Sequence, residues 1–422
     1  MMRFFSLLAA LAATCLWPTG AHADDLVDAI QSALDTHPRL HQERANLRAA
    51  REAIPLALAP YRPQVSIQGS TARSDREAEL SDGRIINDET RPSSFTINAS
   101  QTLYTSGRRN IAARRSLLEV RSAQARYSSA EQDIIIDVAT AYLDLLLADE
   151  TLIIETNVLR TLEEQTEAAR IQLQRGVATR TDLAQAEARL AEARARFATS
   201  QANLAVTQAS FERATGYRAI NLDWHEIELP WSDLQTVIQT ALDANTDLAA
   251  SRYQAEMARL DVMAAARRNG PTISIGAQRS ESENISPAVI ADDETQVNLT
   301  FSMPLLTGGE SSAQRRRSIA ARSSARFAVQ DVEAEVILQA TQIWAQLEAA
   351  GYALEAQQER IEAATLALEG VERGREAGLW TFVDVLDATE QVLRARLSLA
   401  QAQRDQRLGR VRLALMTGVL EY

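Results

Sequence analysis

The sequence predicts a mixed α and β membrane protein in which each subunit contributes four β-strands and a set of very long coiled-coil helices. Three observations predict it: two duplicated pairs of segments alternating apolar with polar residues, two helical stretches of unusual length, and a seven-residue apolar repeat on the returning helices.

The chain opens as an export signal. Arg3 precedes an apolar run from Phe4 to Leu16, and the small residues Ala21 and Ala23 flank His22, so residues 1–23 read as a signal peptide and the mature chain starts at Asp24. Lipidation at Cys15 is the alternative. Cys15 is the single cysteine, which leaves the mature chain without disulfides in the oxidising space it enters. A net charge of −12 argues against a nucleic-acid partner, and 5% aromatic content with abundant Ala, Glu, Gln, Leu and Arg favours long helices. All the Lys-plus-Arg positions are Arg. Beyond the signal no uninterrupted apolar run is long enough to span a bilayer as a helix; the richest, "DIIIDVATAYLDLLLADETLII", is broken by Asp137, Asp144, Asp149 and Glu150. The mature protein is therefore either soluble in the periplasm or crosses a membrane as strands.

The plan of the chain occurs twice. "DLVDAIQSAL" from Asp25 returns as "DLQTVIQTAL" from Asp233, and "RPQVSI" from Arg62 as "GPTISI" from Gly270. "TLYTSG" ending at Gly107 returns as "PLLTGG" ending at Gly309, and "ATG" ending at Gly216 as "MTG" ending at Gly418. The first two matches are offset by 208 positions and the last two by 202, so the length change falls between Ile67 and Gly107. That interval, "SDREAELSDGRIINDETRPSS" against "SESENISPAVIADDE", is polar and turn-rich, as a surface loop should be. Strand-like alternation flanks it. Val65, Ile67, Gly69 and Thr71, then Phe95, Ile97 and Ala99, mark one face of the first copy; Ile273, Ile275 and Ala277, then Val297, Leu299 and Phe301, mark the second. Four strands in two hairpins follow, with one apolar and one polar face. The predicted organisation is a first repeat over 24–216, a linker over 217–232 that breaks helical periodicity, and a second repeat over 233–422.

From about Ser106 to Arg175 there is no proline, and roughly 70 residues at about 1.5 Å each make a helix of about 100 Å. The return arm carries Leu183, Leu190, Phe197, Leu204 and Phe211 at seven-residue spacing, with Ala186, Ala193, Ser200, Thr207 and Ala214 three residues on. The second copy keeps Val385, Val392, Leu399 and Leu413, with a break at Gln406, over Ala388, Ala395, Ala402 and Gly409. Such spacing implies left-handed supercoiling of closely packed helices.

Four strands cannot close a barrel, and an open edge in lipid costs several kcal/mol for each unpaired backbone group, so strands placed in a membrane require oligomerisation. Two copies give eight strands with a filled interior; three give twelve and a lumen. The signal, the duplicated plan, the hairpins that each follow a proline and "GLWTFVDVLDAT" from Gly378 resemble the TolC family of outer-membrane efflux channels over essentially the whole mature chain. The resemblance implies a homotrimer with a twelve-stranded barrel in outer-membrane lipid, continuous with a periplasmic α-barrel. It further implies docking to a periplasmic adaptor protein and an inner-membrane pump, which supplies the energy for efflux or type I secretion. No cofactor and no catalytic residue is implied.

In that family the Gly176 and Gly378 stretches are helix-to-helix turns at the periplasmic tip, where adaptors dock, with Asp182 and Trp380 beside them. Asp384 and Asp387 match the acidic rings of the periplasmic gate. Residues i and i+3 share a helix face, and three copies place six carboxylates around one axis, attracting cations and raising some of their own pKa values by like-charge repulsion. The competing reading is a pair of solvated helix-face charges with capping value. Asp182 corresponds to a residue that holds the closed tip against an arginine; Trp380 stands at the aligned position, leaving Arg373 and Arg375 as the nearby substitutes. His37 and His41 are spaced i, i+4 but have no third ligand nearby, and Gly308–Gly309 lacks the lysine of a phosphate loop. Tyr104 and Phe301 fall near strand ends, where they fit an aromatic belt or the core. A soluble periplasmic coiled-coil scaffold explains the heptads and the charge, though not the duplicated strands.

Overall fold

A computed structural model describes residues 25–419 apart from 80, 220–221, 232 and 287–288. The signal peptide and Cys15 lie outside the described residues. Helices α1 (Leu26–Thr36), α2 (Pro38–Arg51) and α3 (Ala53–Leu58) lead into β1 (Gln64–Thr71), β2 (Ser74–Glu79), β3 (Ile85–Thr90) and β4 (Ser93–Tyr104). The 67-residue α4 (Arg108–Gln174) and 36-residue α5 (Arg180–Thr215) follow. The order then recurs with α6 (Leu234–Ala244), α7 (Thr246–Ala266), β5 (Thr272–Ser286), β6 (Val289–Ser302), the 67-residue α8 (Glu310–Glu376) and the 35-residue α9 (Phe382–Met416). Described residues of the 217–231 segment form neither helix nor strand.

The chain divides into two compact units. Of the described residues, one takes those up to His37, Gln132–Ser232 and those from Gln342 on; the other takes Pro38–Glu131 and Asp233–Thr341. Both α4 and α8 contribute to each.

The second unit holds an antiparallel four-stranded sheet in the order β1-β4-β5-β6. Its register fixes the faces, because residues paired across antiparallel strands point the same way. One face carries the row Val65, Ala99, Ala277, Val297 and, beside it, Ile275 with Leu299 and Ile273 with Phe301. The other carries Gln64, Ser100, Gly276, Asn298 and the row Ser66, Asn98, Gln278, Gln296. Among the described residues the apolar face is largely uncovered: Val65, Val297, Leu299 and Phe301 are each more than three-fifths exposed. Strands β1 and β6 are open edges of the sheet.

The interval read as a polar loop is more ordered than its composition indicates. In the first copy β2 and β3 pair from Ser74↔Thr90 to Glu79↔Ile85 as a separate two-stranded ribbon, closed by a turn in which Gly83 has φ 82°. In the second copy β5 and β6 run on through it to Ser286 and Val289. Backbone ladders and ion pairs such as Arg73 with Glu89 hold these extensions, so they need no apolar alternation.

The first unit is held by helix packing. Ile134, Ile135, Val138, Ala139, Tyr142 and Leu143 of α4 are buried at helical spacing, against a core that includes Ile30, Phe211, Val411 and Leu413. The aspartates that interrupt this run fall on other faces of the helix. Tyr142 donates its hydroxyl to the Asp223 carbonyl, tying the irregular segment to α4, and burial pushes its phenol well above the ordinary tyrosine range. Arg410 of α9 binds Glu226 at 2.7 Å and Arg407 stacks over Trp224, fixing the same segment from the other side. The predicted seam of α5 centres on its small positions: Ala186, Ala193 and Ser200 are buried, whereas Leu183, Leu190, Phe197 and Leu204 are half-buried. Close approach of the helices puts the small residue at the contact and the large one at its border. On α9 the large positions Val385, Val392 and Leu413 are themselves buried. Among the described residues no helix is long and apolar enough to cross a membrane.

Candidate gate at the helix tips

The two reversals between long helices share one construction. At the first, Gly176 has φ 75°, its N–H reaches the Leu173 carbonyl at 3.0 Å, and the Val177 N–H reaches that of Gln172 at 2.9 Å. At the second, Gly378 has φ 77°, its N–H reaches Arg375 at 2.9 Å, and the Leu379 N–H reaches Gly374 at 2.8 Å. Both are Schellman closures, in which the left-handed position that glycine accepts without steric cost lets the last carbonyls find donors.

Each turn then starts the next helix with a capping box. Thr179 caps α5: its N–H and hydroxyl both donate to Asp182 at 2.8 Å, and its hydroxyl oxygen accepts from the Asp182 N–H at 3.1 Å. Thr381 caps α9 in the same way, donating to one oxygen of Asp384 through N–H at 2.7 Å and hydroxyl at 2.6 Å. The T-x-x-D pattern in "TRTD" and "TFVD" signals these boxes in the sequence. Hydrogen bonds from Thr179 hold the Asp182 carboxyl below the ordinary aspartate value, and those from Thr381 do the same for Asp384. Within one chain the effect is thus opposite in sign to the repulsion expected among the carboxylates of a ring.

Asp387 lies one turn further along α9 and is exposed. The Arg189 guanidinium of α5 reaches it at 3.0 Å and reaches Glu390 at 2.9 Å with its other terminal nitrogen. Glu390 also accepts from Arg394 at 2.8 Å. Burial pushes the Glu390 carboxyl up, but Arg394 and Arg189 outweigh it and hold the group low. Deeper in the bundle Arg196 lies 3.5 Å from the buried Glu155 and 2.9 Å from Glu192. There burial prevails over Arg196 and raises the Glu155 carboxyl. Leu162 of α4, Ala193 of α5 and Leu386 of α9 form the apolar cluster beneath these charges, with Leu190 and Phe382 against it.

The remaining predicted tip residues are arranged as follows. Arg373 pairs with Glu369 at 3.3 Å, and Arg375 lies over the Phe382 ring at 5.6 Å. The chain therefore does not bring Asp182 to either arginine. Trp380 rests on bare helix backbone at Gly374, where an added Cβ would come within 2.1 Å of the indole. Val177 is 77% and Leu379 79% exposed, leaving an apolar point on each turn. Sequence reasoning did not single out Arg189 and Glu390, because their contacts join helices about two hundred residues apart. No group of three or more His, Cys, Asp or Glu able to hold a metal occurs among the described residues.

A model of the outer membrane efflux protein family matches residues 29–217 and 237–419. The outer membrane efflux protein BepC of Brucella suis is 29% identical over 400 residues, covering 94% of this chain and 85% of its own. The outer membrane protein TolC of Vibrio cholerae is 24% identical over 415 residues, covering 94% and 91%. Among solved structures, CusC superposes with a TM-score of 0.80 at 18% identity over 93% of this chain and 91% of its own, which shows the same fold. With both repeats of the family matched in sequence and the fold matched in space, the chain belongs to the outer membrane efflux proteins, a family of channels, and its place is the outer membrane.

Proposed function

We propose that three copies of this chain join their sheets edge to edge into a twelve-stranded barrel and their helices into a tunnel, and that Asp384 and Asp387 ring the periplasmic entrance of that tunnel. The observation that carries the reading is the sheet itself, with two open edges, an uncovered apolar face and a polar opposite face. In lipid those edges must pair, and neighbouring copies offer equivalent strands. The apolar rows then meet lipid and the Ser, Thr, Asn and Gln rows line the lumen. Each duplicated half, 24–216 and 233–422, supplies one hairpin and one long helical pair, with 217–232 joining them.

The tip turns at Gly176 and Gly378, with Asp182 and Trp380, form the docking site for a periplasmic adaptor. The exposed Val177 and Leu379 give such a partner an apolar hold. An inner-membrane pump drives transport, in tripartite efflux or in type I secretion, and selects the cargo. Asp182, Arg373 and Arg375 are each engaged within their own chain, so a closed-state contact among them forms at the expense of those partners.

The test is the mass of the detergent-solubilised protein together with its conductance in planar bilayers. A trimer giving a small cation-selective pore that divalent cations block from the tip side is expected. In the double variant D384N/D387N cation preference weakens while the trimer persists. A monomer, or a trimer whose selectivity ignores that double substitution, refutes the reading.

A further inference from the structure

Of the two aspartates at the proposed gate, only Asp387 is paired with a cation, and that cation comes from a different helical hairpin. We infer that Arg189 determines the ion selectivity of the entrance, by neutralising Asp387 and so fixing how many of the ring's carboxylates act on passing ions. The inference rests on the gate reading above.

Arg189 divides its two terminal nitrogens between carboxylates one turn apart on α9, at 3.0 Å from Asp387 and 2.9 Å from Glu390. These two partners depend on it unequally. Glu390 is only 14% exposed and has a second cation, Arg394, at 2.8 Å. Asp387 is 59% exposed, and Arg189 is its one ion-pair partner among the described residues. Glu192 also competes for Arg189, at 3.6 Å, but Arg196 holds it more closely at 2.9 Å. Removing Arg189 therefore leaves Glu390 compensated and Asp387 bare. Asp384 is engaged by the neutral Thr381, so its charge stays uncompensated either way.

The internal repeat does not reproduce this device. The residue aligned with Arg189 on α9 is Gln391, and those aligned with Asp387 and Glu390 on α5 are Gln185 and Ala188. The pairing is specific to one of the two interfaces between hairpins, so it sets the charge on α9 alone.

R189Q removes the cation at nearly constant length; R189K keeps it. In a trimer R189Q exposes three additional charges to the pore. At effective dielectrics near that of water and physiological salt, this lowers the divalent concentration for half-block by about tenfold. The assay is the half-blocking Mg²⁺ concentration and reversal potential of reconstituted wild type, R189Q, R189K, D387N and R189Q/D387N. The expected pattern is tighter block in R189Q, near-wild-type block in R189K, weaker block in D387N, and a return to near-wild-type block in R189Q/D387N, where both charges of the pair are removed together. Unchanged block in R189Q, in a protein where D384N/D387N does weaken selectivity, overturns the role of Arg189 and leaves the gate standing. Insensitivity to D384N/D387N itself overturns the gate. Loss of the trimer in both R189Q and R189K assigns Arg189 to assembly and likewise overturns the inference.

Discussion

Placing an arginine at Val297 should prevent insertion, whereas placing one at the neighbouring Gln296 should not. On β6 this face is uncharged from Phe301 at the helix-proximal end to Thr295 and becomes charged at Asp293 alongside Glu281, while on β5 the charge begins one row earlier, at Arg279 opposite Thr295. Eight residues at roughly 3.3 Å span about 26 Å along the strand, and a tilt near 40° reduces this to roughly 20 Å of membrane height. Val297 lies at the middle, in the row with Val65, Ala99 and Ala277. An outward arginine at mid-depth costs about 2–4 kcal/mol, hence roughly 6–12 kcal/mol for three copies, comparable with the whole stability of a typical domain. Gln296 shares its row with Ser66, Asn98 and Gln278 on the opposite face, where the proposed lumen would hydrate a guanidinium. F301R, near the edge of the band, falls between them at about 0–1 kcal/mol per copy. The assay is the yield of heat-modifiable trimer after refolding into lipid vesicles across a urea series. Recovery of V297R equal to that of Q296R, or a greater loss in Q296R, refutes the assignment of the faces.

Two further outcomes follow from the helical unit. Phe211 is fully buried, 6.2 Å from the Tyr142 ring and 5.5 Å from Tyr217, so F211A should cost about 3–5 kcal/mol; a shift in urea midpoint equivalent to less than about 1 kcal/mol contradicts that packing. Because their folded-state values are lowered, the caps at Asp182 and Asp384 contribute stability that is complete above the ordinary aspartate value of about 3.9 and is lost as pH falls through the depressed values. Hydrogen exchange at the first turns of α5 and α9, corrected for intrinsic rates, should accelerate as pH falls below about 4 in wild type but not in D182N/D384N, whose amide oxygens accept the same bonds without titrating, and equal acceleration in both proteins excludes the caps as its source.

The features legible in the sequence were those with a period. Apolar residues two apart gave the four strands of the sheet, because one of its faces is apolar over the rows from Ile273 and Phe301 to Ala277 and Val297. The 67-residue α4 was equally visible, since nothing between Gly107 and Gln174 interrupts a helix. The β2–β3 ribbon was not visible: its charged residues are solvated on both sides, and Arg73 contacts Glu89 at 2.7 Å without any buried face. The candidate gate was half legible. "VDVLDAT" marks the two aspartates, and the threonine three residues before Asp384 marks the cap, yet the pattern of local spacing cannot carry a contact such as Arg189 with Asp387, 198 residues apart. Tertiary packing alone brings that arginine to the site.

Similar spacing in the sequence thus conceals two different electrostatic situations. Asp384 is tied to the first turn of its own helix by a neutral donor, so replacing it changes a charge and a cap together. Asp387 caps nothing and is paired with a cation from another hairpin, so its effective charge depends on where α5 stands relative to α9. Any movement that separates those helices by a few ångströms would release Asp387 while leaving the Asp384 cap intact, since Thr381 travels with it. In the proposed channel, widening the entrance would also make it more negative. Opening and cation preference would then rise together, and the ring's charge would belong to the conformation rather than to the count of aspartates.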